Sequence, residues 1–211
     1  MSNQPWFVLV GGINGSGKST FAQSSDTISA LVDVDGREIQ IINPDLVTQE
    51  IRKANPSMEL SAANKAAADQ CEVLVDTFIK RAEHSFVIET VLSTDKYEQR
   101  VLRARRAGFQ VLFLYMLLES VEQSIERVRL RVSRGGHDVP EKKIRERWTK
   151  SRERLPKYFN LATRSFVFAN IGKVPQLLAD GDGEFVRFHR APPKSLAPVL
   201  KHLRPAWLHG A

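Results

Sequence analysis

The chain has 211 residues, 42% of them hydrophobic and 26% charged, enough for one buried core and too balanced for a disordered or fibrous protein. A single cysteine, Cys71, excludes an internal disulfide framework and fits a reducing compartment. The net charge of +7 is local: residues 127–157 carry 12 Lys/Arg against 4 Asp/Glu, which argues against a chain coated for polynucleotides.

Residues 6–10 are an unbroken apolar run ending in Gly11-Gly12, the pattern of a buried strand. A helix is expected from Lys18 to Ser25 and a short strand at 39–42. Asn43-Pro44-Asp45 then opens a helix, with proline suited to its first turn. That helix passes Ile51 and breaks near Asn55-Pro56. Helical pattern resumes over 61–83, where Cys71 shares a core face with Leu74 and Phe78. A third strand at 86–88 ends at Glu89-Thr90. A helix over 95–107 stops at Gly108, a C-cap. Residues 110–118 make the strongest strand, with aromatics that read as core. Ser120 caps a helix to about Arg134, Gln123 completes a capping box, and Val121, Ile125, Val128 and Val132 form its apolar face. Residues 135–140 break it, and another helix spans 141–154. A strand follows at 166–169, then a hairpin whose arms, 176–179 and 184–188, flank Asp-Gly-Asp-Gly. The proline-rich tail from Ala191 holds one short helix near 195–203 and is expected to pack on the core through Trp207.

Gly12-Ile13-Asn14-Gly15-Ser16-Gly17-Lys18-Ser19, followed by Thr20, sits where a strand gives way to a helix and fits the phosphate-cradling pattern residue for residue. Glycines let backbone N–H groups close around phosphate oxygens, Lys18 reaches the β/γ-phosphates, and the Ser19 hydroxyl can ligate Mg²⁺. ATP and Mg²⁺ are therefore the expected cofactors. Strands alternating with helices predict an α/β fold of the P-loop NTPase type: a mainly parallel sheet flanked by helices, with a helical arginine-rich lid and a C-terminal β-hairpin. The kinase domain would span 1–190, with its lid at about 127–157, and the tail 191–211. The longest apolar run, Val111 to Leu118, is too short for a membrane span, and the amino end lacks a secretory leader, so a cytoplasmic location is expected.

Ligands of such sheets lie beyond the carboxyl ends of the strands, where Asp45 and Glu89 also fall. Asp45 could accept a proton from an acceptor hydroxyl or serve a helix dipole. Glu89 could hold Mg²⁺ through water, bind a substrate hydroxyl with Thr90 beside it, or be structural. Arg127, Arg131 and Arg134 share a helical stripe, and Lys143, Arg147, Lys150 and Arg154 line one face of the next helix. Two basic helices around Gly135-Gly136 suit a lid that closes arginines onto a transferring phosphate, since 4 acids are too few to pair 12 bases. His137 lies in the break, equally placed to touch phosphate or to cap.

In this order the motifs resemble the zeta toxin family of small P-loop kinases: GGINGSGKSTF at 11–21, INPD at 42–45, FVIETVLS at 86–93 and RVRLRVSRGGHDVP at 127–140, with a weaker match at Ile144, Arg147, Trp148 and Ser151. The chain departs from the family pattern at Thr163, Ala169 and Lys150. The resemblance implies ATP-dependent phosphorylation of the 3′-hydroxyl of UDP-N-acetylglucosamine, with Asp45 as general base, Glu89 on the sugar, and Lys18, Arg127 and Arg131 at the γ-phosphate. It also implies a partner antitoxin, which would be a separate chain.

Overall fold

The computed structural model describes residues 4–23, 28, 31 and 39–203. In chain order the elements are β1 (Trp6–Gly12), α1 (Lys18–Ala22), β2 (Gln40–Ile42), α2 (Pro44–Ala54), α3 (Leu60–Arg81), β3 (Phe86–Thr90), α4 (Glu98–Arg106) and β4 (Gln110–Leu117). They continue with α5 (Val121–Ser133), α6 (Glu141–Leu161), β5 (Arg164–Ala169), β6 (Gln176–Gly181), β7 (Val186–Phe188) and α7 (Ala197–Leu200). Ser24 and Ser25, expected to extend α1, and Trp207 in the tail lie outside the described residues.

One sheet runs β2-β3-β1-β4-β5-β6-β7, its first five strands parallel and the last two antiparallel. The fold is the expected α/β type. Helices cover both faces, so the central strands are apolar without alternation. Along β1, Phe7 and Leu9 enter the larger core with α3, α4 and α6, while Val8 and Val10 face the opposite core with Ala22. The chain leaves β1 toward β2 and leaves its neighbour β3 toward β4, so the connections from these two adjacent strands run in opposite directions. That is the switch point where α/β sheets open a crevice.

Several boundaries moved for identifiable reasons. α6 continues past 154 to Leu161, through Pro156. An internal proline costs a helix about 3 kcal/mol, but Leu155, Tyr158 and Phe159 become buried by continuing. Propensity lost to burial. In α3 the core stripe is Ala63, Ala67, Cys71, Val75 and Ile79, a strict four-residue repeat. Leu74, expected beside Cys71, is exposed instead. Val132 likewise faces out, because α5 is in its last turn there and has passed the core. Ser120 does cap α5, accepting from the N–H of Gln123 at 3.1 Å, and the Gln123 side chain reaches back to Glu119. The hairpin forms as expected, with the Asp182 carboxylate accepting from the N–H groups of Glu184 and Phe185. Leu196, Leu200 and Leu203 are buried in the larger core. Among the described residues no helix is long and apolar enough to cross a membrane.

Candidate active site

The register of the sheet builds the site. Val10 pairs with Glu89 and Gly11 with Thr90, so β3 delivers its acid beside the start of the glycine loop. The loop turns back over the end of β1, and Gly15 and Gly17 hold φ values of 73° and 91°, which disfavour any side chain. A Cβ on Gly17 would also come within 2.5 Å of the Asn170 amide nitrogen.

Four successive carbonyls of the loop each accept a side-chain hydrogen bond. Ile13 O accepts from Lys18 Nζ at 2.9 Å and Asn14 O from the Ser124 hydroxyl at 2.6 Å. Gly15 O accepts from Arg127 at 3.5 Å and Ser16 O from Asn170 Nδ2 at 2.9 Å. Arg127 also donates to Asn170 O at 2.9 Å, and Arg147 reaches Asn14 Oδ1 at 3.4 Å. Two elements far off in sequence, α5 and the end of β5, thus set the loop's shape. Asn170 was not among the expected site residues. Its position at the carboxyl end of a parallel strand was the available signal, the same one that marks Glu89.

A cavity of about 390 Å³ opens above the loop, lined by Asn14, Gly15, Gly17, Lys18, Ser19 and Thr20 together with Asp45, Glu89, Thr90, Arg127 and Arg131. Gly12 and Ser16 lie behind its wall rather than on it. A larger hollow, about 830 Å³ between α6 and α7, contains none of the expected site residues.

Burial pulls the Lys18 ammonium down to about 8, with Arg131 and Arg147 adding repulsion, while Glu89 and Asp45 work the other way. Burial likewise raises Glu89, partly offset by the Ser19 hydroxyl and Lys18. Ser19 donates to Glu89 Oε2 at 2.8 Å, and Glu89 Oε1 is shielded from water without a partner among the described residues. A hydroxyl against a carboxylate with one free buried oxygen fits a hard divalent cation. Mg²⁺ typically takes only one or two protein ligands and completes its shell with phosphate and water, so Ser19 and Glu89 suffice.

Asp45 is exposed in the first turn of α2, where the Asn43 side chain caps its N–H at 2.9 Å. Behind Glu89, Leu92 is buried with φ of 60°, a conformation that costs an L-residue about 1–2 kcal/mol. It is held by Thr90 Oγ1, which accepts from Leu92 N, and by Ser151, which donates to Val91 O at 2.5 Å. Since that donation uses the only proton of the Ser151 hydroxyl, Tyr115 must be the donor in its 2.6 Å contact with Ser151. Burial pushes the Tyr115 phenol up to about 12, so it stays protonated for this task.

Helices α5 and α6 rest on Ile13 through Ile125, Val128 and Ile144. Arg131 lines the cavity and donates to the His137 carbonyl at 2.6 Å. Arg134, at the C-cap of α5, is exposed and off the cavity wall. His137 faces α2 instead. The expected shortage of acids is eased from outside the cluster: Arg145 pairs with Glu122, Arg154 with Asp95 and Lys157 with Glu98. Arg127, Arg131 and Arg147 use backbone or amide acceptors.

A glycine loop at the central switch point, acids at two neighbouring strand ends and a basic helix pair above them define the frame of a P-loop phosphotransferase. The zeta toxin family model matches residues 1–172, and the chain belongs to that family of kinases. An uncharacterised protein of Haemophilus influenzae is 30% identical over 139 residues, 65% of this chain and 88% of the relative. Among solved structures, the AvrRxo1-ORF1:ORF2 complex with ATP matches at 15% identity and a TM-score of 0.70, covering 96% of this chain and 64% of that one. The chain therefore spans less than two thirds of that protein. A chain of the PezAT chromosomal toxin–antitoxin system of Streptococcus pneumoniae matches at 19% identity and a TM-score of 0.59, covering 96% and 79%. At such identities the likeness is one of fold.

Proposed function

We propose that this kinase transfers the γ-phosphate of ATP to the 3′-hydroxyl of the sugar in UDP-N-acetylglucosamine. The observation that carries a hydroxyl acceptor is that Asp45 and Glu89 line the same cavity as Lys18 and the glycine loop. Asp45 accepts the hydroxyl proton from its exposed place in the first turn of α2. Lys18, Arg127 and Arg131 balance charge on the transferring phosphoryl group, with Arg147 supporting from the lid. Ser19 and Glu89 would hold Mg²⁺, which supplies electrostatic neutralisation of the phosphates when bound. Thr90 flanks the acceptor. The sugar nucleotide is what the family resemblance implies.

The domain reading goes with it: a kinase unit over 1–190 with a lid at about 127–157, and a tail over 191–211, in the cytoplasm. A separate antitoxin chain is proposed as partner, supported by the toxin–antitoxin system that contains the pneumococcal structure.

Incubating the protein with ATP, Mg²⁺ and UDP-N-acetylglucosamine should yield a sugar nucleotide carrying one more phosphate by mass spectrometry. ATP-dependent phosphorylation of another compound from cell extract, with none of this product, would refute the acceptor.

A further inference from the structure

Thr90 on β3, Gly11 on β1 and Tyr115 on β4 lie in register and form one row across the end of the sheet. Neighbours in such a row point to the same face. Gly11 has no side chain, and the Tyr115 ring takes the space one would fill, since a Cβ there would come within 2.9 Å of the ring. Gly11 is not among the glycines of positive φ, so its want of a side chain serves this ring and not a turn. The phenol of Tyr115 meets Ser151 at 2.6 Å, and both residues are fully buried, off the cavity wall.

The hydroxyls act on a single peptide group. Ser151 donates to Val91 O, and the N–H on the other end of that same peptide, Leu92 N, donates to Thr90 Oγ1. A trans peptide points its C=O and N–H to opposite sides, so the 91–92 unit is clamped from both. Leu92 keeps its φ of 60° there, a conformation that persists only where the surroundings over-determine it. Thr90 and Val91, just ahead of Leu92, both line the cavity. The bond from Leu92 engages a lone pair of Thr90 Oγ1, so the hydroxyl proton is the part of Thr90 that can serve a ligand.

We propose that Tyr115 and Ser151 are positioning residues for the acceptor. Tyr115 orients the Ser151 hydroxyl, Ser151 fixes the 91–92 peptide, and that peptide aims Thr90 and Val91 on the cavity wall. This role rests on the reading of Thr90 as flanking the acceptor. It makes no demand on the donor loop, whose carbonyls are tied by other side chains.

The test uses the full chain with Tyr115→Phe, Ser151→Ala and the two together, each assayed well below its measured Tm. Hydrogen exchange of the Leu92 amide, followed by NMR without ligands, should quicken at least about tenfold in Ser151→Ala and less in Tyr115→Phe. In turnover, KM for UDP-N-acetylglucosamine should rise about tenfold in Ser151→Ala and about threefold in Tyr115→Phe, with kcat nearly retained. Affinity for a non-hydrolysable ATP analogue, read by calorimetry, should stay unchanged, whereas a general loss of structure would weaken both ligands together. Because Tyr115 acts through Ser151, the double variant should be no worse than Ser151→Ala alone. Leu92 exchange at the wild-type rate in Ser151→Ala overturns the assignment. So does an unchanged KM in an active enzyme, or a double variant whose KM shows the product of the two single effects. In each of these cases the proposed function survives. If wild type phosphorylates a different acceptor and not this one, the proposed function falls, and the same KM comparison on that acceptor upholds or overturns the positioning role.

Discussion

The two sides of the cavity are built on opposite plans. On the donor side, four successive carbonyls are tied by Lys18, Ser124, Arg127 and Asn170, and Gly17 packs against Asn170 with no room for a methyl group. On the acceptor side, Asp45 is exposed, and its turn is held by local bonds only, the Asn43 cap and the Thr48 hydroxyl on Pro44 O. A pre-formed cradle minimises reorganisation when phosphates bind. Acceptors vary, and a lightly held helix end leaves room for that variation.

The largest effect that sharpens this contrast comes from Asp45→Asn, expected to lower kcat by about 10²–10⁴. ATP affinity, measured by calorimetry, should change little. Lys18→Met should remove turnover and weaken ATP binding together. If Asp45→Asn weakens ATP binding as much as turnover, the two sides are not separable. Asn170→Ala comes next. It frees Ser16 O and the loop behind the phosphates, and should weaken ATP about tenfold, the cost of one or two hydrogen bonds, with KM for the acceptor unmoved.

A titration follows from Lys18. Its free-state value near 8 lies below the ordinary 10.5. Phosphates favour the charged form, so ATP binding near pH 8 should take up about half a proton, read from calorimetry in buffers of different ionisation enthalpy. Proton release there would contradict the desolvated lysine. Without nucleotide, the unfolded chain binds more protons than the folded one between about 8 and 10.5, so this group makes stability rise with pH across that window. The gap in Tm by which Lys18→Met exceeds wild type at neutral pH should close there. The smallest effect is Ser151→Ala, which leaves Tyr115 and Val91 without their buried partner and should cost about 1–3 kcal/mol of stability.

Much of this site was legible because glycine loops and strand ends carry their own marks. Gly15, Gly17, Lys18 and Ser19 announce a cradle by type and spacing, and Glu89 and Asp45 follow from where apolar runs stop. The family order then named a chemistry. The arginines were harder to separate. Helical spacing puts Arg127, Arg131 and Arg134 on one stripe, but α5 ends at Ser133, so Arg134 sits at the cap and leaves the row. Asn170 donates its side-chain amide to a backbone carbonyl 154 residues away, and a contact of that kind leaves no local pattern. Pro156 signalled a helix end, and long-range packing of Tyr158 and Phe159 overrode it. Local rules failed where distant partners decided.

Arg147 and Ser151 stand one turn apart on α6, the first gripping Asn14 in the phosphate loop and the second gripping Val91 beside Glu89. A single rigid helix therefore works as one latch across two doors. Displacing that helix as a rigid body would loosen the donor loop and the turn behind Glu89 together.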